Sequence, residues 1–256
     1  MMRLLTNGMK IGNATVTVDI IKKGNPEIRP GTSMKPKKIT THNTGNASKG
    51  ANAKAHNTYI HNLASYHPKD TTHVSWHLSV DDKFIYQHIP FDEIAWHCGD
   101  GGGVNSGNRT SIGIEICENP DMDYSKAEEN AIALTVYLMK VFNLKPADVV
   151  PHQHWSGKYC PRVILKRDGS FTSYRNRVAA AFNIAEKEDE ELKFSSPTLK
   201  KETETSLVSK AHRQIVVTAA IKAGAHVSWA DKLANGTLTD ADVLGLAVKY
   251  TVSVNK

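Results

Sequence analysis

The chain has 256 residues, 40% hydrophobic and 23% charged, with a formal net charge of +6. That leaves room for one sizeable domain and a small one, and no run of about 18 apolar residues suggests a transmembrane helix or a membrane partner. The basic balance favours anionic partners, but with no dense Lys/Arg run or RNA-binding signature it gives no ground for nucleic-acid binding.

Cys98, Cys117 and Cys160 are too few for a disulfide framework and fit a reducing compartment, with one of them a candidate metal ligand. The apolar part of Met1–Lys10 is too short for a secretory signal. The expectation is synthesis in the cytoplasm, with release by another agent if the protein acts outside.

In chain order, Ala14–Ile21 has the β-branched content of a strand. Lys38–His42 is a second β-prone run, ending at the turn signal Asn43-Thr-Gly45. Ser48–Ser65 reads as a helix, with Ala51, Ala55, Tyr59, Ile60, Leu63 and Ala64 at near-helical spacing. Val74–Val80 alternates, so Val74, Trp76, Leu78 and Val80 share one face and Ser75, His77 and Ser79 the other. With Phe84–Ile89 it forms a hairpin. Ala95-Trp-His-Cys98 leads into a glycine-rich loop over 99–107.

Ser111–Cys117 is a strong strand, with Ile112, Ile114 and Ile116 on one face and Gly113, Glu115 and Cys117 on the other. Ser125–Phe142 is the clearest helix, with Ser125 as N-cap and Glu128 completing a capping box. Tyr174–Glu186 forms another, with Val178, Ala181, Phe182 and Ala185 inward. The charged run 186–193 and Ser195-Ser-Pro197 mark a boundary. These signals divide the chain into a domain over 1–186, a linker over 187–200 and a small module over 201–256. In the module, helices are expected over 207–224 and 228–233, and a third is N-capped by Thr239 with Asp242 at the capping-box position. The fold class is α/β: a central mixed sheet flanked by helices, plus a small, mainly helical C-terminal module.

Chemistry concentrates in Pro151-His-Gln-His-Trp-Ser-Gly-Lys-Tyr-Cys-Pro-Arg162. Gly157 permits a tight bend and Pro161 stops a regular element, so several side chains can converge. Imidazole and thiolate suit zinc, and catalytic zinc keeps three protein ligands and an open position. His152 and Cys160 supply two. By setting, the third is best given by His42 at its strand end, with His77 and His97 as competitors.

Ile39-Thr-Thr-His-Asn-Thr44, Val74–Val80, Ala95-Trp-His97, Gly99-Asp-Gly101, Gly107-Asn-Arg-Thr-Ser-Ile-Gly-Ile-Glu115 and the stretch from His152 to Pro161 occur in that order. Together they resemble the zinc-dependent N-acetylmuramoyl-L-alanine amidases, a group also similar to peptidoglycan-recognition proteins. The likeness is strongest to amidase endolysins of phages and prophages of Bacillus-type hosts, and it spans about residues 36–185. It implies one zinc ion held by His42, His152 and Cys160, with Glu115 as general base and acid and Lys158 as stabiliser of the developing anion. It implies cleavage of the amide between N-acetylmuramic acid and L-alanine by zinc-activated water. His77 is expected near the substrate, with Trp96 and His97 as cleft walls. His154 stands where relatives often carry aspartate.

The resemblance makes bacterial peptidoglycan the partner, reached after release, with a holin as the expected route. A wall polymer is the expected ligand of the C-terminal module, with Trp229, His226 and Tyr250 as glycan contacts; a dimerisation or stabilising bundle is its alternative. A non-catalytic peptidoglycan-recognition protein and a host autolysin are the competing readings of the whole. Relatives of the former commonly lack the cysteine that is present here as Cys160. Oligomeric state is left open.

Overall fold

The structure, a computed structural model, describes residues 4–190 and 196–251. Positions 191–195 of the expected linker and 252–256 of the expected module lie outside the described residues. The chain separates into two compact units, Met1–Glu188 and Asp189–Lys256.

In the first unit the described strands are β1 (Lys10–Ile11), β2 (Ala14–Val18), β3 (Lys38–Asn43), β4 (Leu78–Val80), β5 (Phe84–Gln87), β6 (Ser111–Ile116) and β7 (Val149–Pro151). They form one sheet in the order β1-β2-β5-β4-β6-β3-β7. β1–β2 and β4–β5 pair antiparallel, and the other neighbours pair parallel, so the sheet is mixed as expected. Its helices are α1 (Ala53–Ser65), α2 (Gly107–Thr110), α3 (Tyr124–Phe142), α4 (Gln153–Ser156), α5 (Arg162–Asp168) and α6 (Thr172–Glu190).

The sheet's two faces are used differently. Ile112, Ile114 and Ile116 of β6 pack with Ala131, Leu134 and Leu138 of α3 in the main core, joined by Tyr174 and Val178 of α6. On the opposite face α1 packs against β4 and β5, where Ile60 joins Ile21, Ile28, Trp76 and Ile89 in a second cluster. The register pairs Thr40 with Gly113 and His42 with Glu115. Residues paired in register on neighbouring strands share a face, so His42 and Glu115 stand side by side at the carboxyl ends of parallel strands, where open α/β sheets bind ligands.

Several elements differ from expectation. Only Leu78–Val80 of the alternating run is a strand. Upstream, the backbone turns to loops, with Val74 N bonding Glu27 O and Ser75 N bonding Trp96 O. β2 ends at Val18, short of the expected Ile21, and α1 begins at Ala53 because the Asn52 side chain caps the Ala55 N–H. Tyr59 of α1 is exposed, not inward. α3 is capped by Asp123, not Ser125. Glu128 is therefore too deep to close a capping box; it is buried and paired with Arg167 and Arg177. Pro161 does not end regular structure but N-caps α5, a position proline tolerates because the first turn needs no intrahelical N–H bond.

The second unit contains α7 (Pro197–Val208), α8 (Lys210–Lys222), α9 (Ser228–Ala234) and α10 (Asp240–Leu246), followed by a π-helical turn at Ala247–Thr251. α7 starts inside the expected linker; Ser196 caps it and Pro197 follows, a start signal present in the sequence. The Thr239–Asp242 capping box is formed. The core comprises Leu207, Val217, Ala220, Ala225, Leu238, Val243 and Leu246. Arg213 ties it together, donating to the Leu207 and Leu238 carbonyls and pairing with Asp240. Among the described residues no helix is long and apolar enough to cross a membrane.

Candidate active site

A cleft of about 650 Å³ opens at the carboxyl ends of β3 and β6; Asn43, Glu115, His152, Lys158 and Cys160 line it, and His42 is buried next to them in the chain and in space. β3 delivers His42, β6 delivers Glu115, and β7 runs directly into His152. α4 then carries the chain to Gly157, whose φ of +78° reverses it. That turn returns Lys158 and Cys160 to the same cleft.

His42 Nδ1 lies 3.0 Å from His152 Nδ1, 3.9 Å from Cys160 Sγ and 3.8 Å from Glu115 Oε1. One donor atom from each of His42, His152 and Cys160 lies within 4.8 Å of the others, and all three residues are buried. Two imidazoles facing each other across 3.0 Å beside a thiol form a donor set suited to a tetrahedral N/S ion such as zinc. Burial, reinforced by His97, His152 and Lys158, holds His42 well below the usual imidazole range. Burial also pushes the Cys160 thiol up to about 12, aided by the Glu115 carboxylate. Neutral imidazoles are ready to ligate; the thiol would lose its proton only to a cation.

Glu115 is 15% exposed and its Oε2 is buried with no hydrogen-bond partner. Burial pushes its carboxyl up to about 8, while the Lys158 ammonium pulls the other way. It is therefore no solvated strand-face carboxylate but a desolvated group able to exchange a proton near neutral pH.

Asn43 holds the Cys160 turn. It donates to the Tyr124 hydroxyl, its side-chain oxygen accepts from Val163 N, and its carbonyl faces Cys160 Sγ. Asn108 holds the opposite wall by accepting from the His97 and Cys98 N–H groups at 2.7 Å each. Neither asparagine is singled out by residue chemistry, although both stand inside the ordered motifs.

Of the expected substrate contacts, Trp96 lines the cleft, with His73 packed edge-on against it at 4.5 Å. His97 reaches the cleft wall but is 8% exposed. His77 corrects the expectation. It is fully buried, its Nε2 donates to the Glu93 carbonyl and its Nδ1 accepts from Gly113 N, so it braces the sheet and leaves no atom for substrate. Alternation gave its side but not its cover. His154 is exposed and packs on Trp155, away from the cleft lining.

The histidine-rich tract resolves into local tasks. His56 bonds the Asn52 carbonyl, His61 faces Asp19, His67 caps a short turn and His73 pairs with Glu27. Tyr59, exposed, stacks on the buried Trp76 where both line the cleft. In the second unit Trp229 and Tyr250 pack against the helical core, while His226 is exposed and bonded to Ser228.

A family model for N-acetylmuramoyl-L-alanine amidase matches residues 32–163. Bacillus subtilis (strain 168) N-acetylmuramoyl-L-alanine amidase XlyA is 54% identical over 143 residues, covering 56% of this chain and 45% of the relative. CwlH of the same organism is 50% identical over 157 residues, covering 61% and 59%. The chain thus spans about half the length of the curated relatives it matches. The solved catalytic domain of XlyA superimposes with a TM-score of 0.57 at 46% identity, covering 64% of this chain and 99% of that one. The matched segment runs from just before β3 through Cys160 and carries each of His42, Glu115, His152 and Lys158; the chain belongs to the N-acetylmuramoyl-L-alanine amidase family.

Proposed function

We propose that the chain is a zinc-dependent peptidoglycan hydrolase that cleaves the amide between the lactyl group of N-acetylmuramic acid and L-alanine. The observation that carries this reading is Glu115, whose Oε2 is buried with no hydrogen-bond partner and whose Oε1 lies 3.8 Å from His42 Nδ1, within the same cleft as His152, Cys160 and Lys158. His42, His152 and Cys160 would hold the zinc. Zinc bound there supplies Lewis-acid polarisation of the amide carbonyl and a water of lowered pKa.

The chain's own residues would do the rest. Glu115 takes a proton as water oxygen bonds to the lactyl carbonyl carbon. Lys158 faces the oxyanion that develops on the carbonyl oxygen. As the C–N bond breaks, Glu115 returns its proton to the departing L-alanine amine. Trp96, edged by His73, and the exposed Tyr59 offer flat faces to sugar rings or the peptide.

The chain is read as an endolysin that would reach the wall after holin-dependent release, with a host autolysin of the same chemistry as the second reading. For the second unit a wall polymer is the proposed ligand. Comparing wall binding by the full chain and by a chain ending at residue 188 tests it; equal binding would remove that role.

Purified cell walls treated with the full chain should release free amino groups and L-alanine N-termini without new reducing sugars. New reducing ends would mean glycosidase chemistry instead. Unchanged walls with intact muropeptide binding would favour a recognition protein.

A further inference from the structure

The sequence assigns His97 to the substrate, yet both of its ring nitrogens are engaged beneath the cleft. His97 Nε2 lies 3.2 Å from the Ser111 carbonyl oxygen. A carbonyl only accepts, so Nε2 carries the hydrogen and Nδ1 of the neutral ring carries the lone pair. That Nδ1 lies 2.9 Å from His42 Nε2, which must therefore donate. His42 Nδ1 is left bare, and it is the atom that faces His152 Nδ1 and Cys160 Sγ. One backbone carbonyl thus sets, through two rings, the tautomer of the histidine at the centre of the donor set.

The surrounding motif fits this task. Asn108 fixes the backbone of His97 and Cys98. At Gly113 a Cβ would stand 2.7 Å from His97 Nδ1, so a side chain there would displace the ring. The Cys98 sulfur lies 3.2 Å from the same nitrogen.

We propose that His97 is a positioning residue that holds His42 in its Nε2–H tautomer, with Nδ1 bare to ligate, in a socket built by Ser111 and Gly113. The inference rests on the zinc reading above. It gives the glycine of Ser-Ile-Gly-Ile-Glu a physical reason, and it moves His97 from substrate contact to support of a ligand.

The test is zinc affinity of the full chain by chelator competition. His97→Ala should weaken zinc about 10–100-fold, the usual cost of losing such a partner. His97→Asn, whose amide oxygen can stand near the position of Nδ1, should recover most of that loss. Gly113→Ala keeps the histidine but displaces its ring, and should weaken zinc in the same direction. Nitrogen-15 spectra of the histidine-labelled, zinc-loaded chain should show Nε2–H on both His42 and His97. Wild-type affinity in His97→Ala and Gly113→Ala, or Nδ1–H on His42, would overturn the proposal. So would two zinc ions per chain, which would make His97 and Cys98 ligands themselves. A wild-type chain that binds no zinc would sink the zinc reading, and with it this one; normal binding that ignores His97 would sink this one alone.

Discussion

Glu115 and Cys160 are both held uncharged by burial in the metal-free protein, Glu115 up to about 8 and Cys160 up to about 12. This has a consequence for stability. Below the unfolded value of 4.5 both states of the chain keep the Glu115 proton, and the group contributes nothing. Between 4.5 and about 8 the folded state keeps a proton that the unfolded state releases, so stability falls as pH rises. Chelator-treated Glu115→Gln should therefore match the wild type near pH 4 and exceed it at pH 9, by on the order of a few kcal/mol. Denaturant melts at the two pH values measure this; a pH-independent difference would refute it. In the zinc-loaded protein the same substitution should retain the metal while turnover falls at least about 100-fold. Cys160→Ala should lose zinc and wall lysis together, and full lysis without Cys160 would remove the metal assignment. The spacing of Pro151–Arg162 singled out His152 and Cys160, and the resemblance of the ordered motifs added His42 and Glu115, four side chains that lie together here. His77 was misread because alternation assigns a side chain to a face without telling what covers it.

At the scale of elements, β2, β3, β6, α1, α3 and α6 followed from composition and hydrophobic period with errors at their ends, whereas β7, α5 and most of α7 were not expected. The α3 cap moved two residues, and that shift gave Glu128 a different task. Glu128 is 1% exposed and is clasped by Arg167 from α5 and Arg177 from α6. Nothing in the local spacing signals this, because the partners lie 39 and 49 positions away. Removing one arginine leaves the other to serve the carboxylate; removing both strands a buried charge. Arg167→Ala and Arg177→Ala should each cost about 1–2 kcal/mol, and the double variant should cost about 3–5 kcal/mol, more than their sum. A double-mutant cycle in urea measures the coupling, and strict additivity would show that Glu128 is not held by the pair. α5 itself escaped notice because Pro161 reads as a stop when it is in fact a start.

The whole molecule consists of two units with separate apolar cores, one around β3, β6 and α3 and one around α8 and α10. The proposed zinc ligands His42, His152 and Cys160 all belong to the first, and among the described residues the second offers no cluster of three such donors. A ligand that binds only a folded unit stabilises that unit by mass action, by about 2.7 kcal/mol when free ligand is 100 times Kd. Zinc should therefore act on one core and not on the other. Calorimetry of the full chain should resolve two transitions, of which chelation lowers only the one that is also lowered by Cys160→Ala. Arg213→Ala, which removes the tie between α8, the Leu207 carbonyl and the Leu238–Asp240 segment, should lower the other transition and leave the zinc-sensitive one in place. A single transition shifted by both treatments would mean that the two cores unfold as one. The separation would matter for the proposed function, because a second unit that melts on its own would lose the proposed wall ligand while the first unit kept the proposed metal.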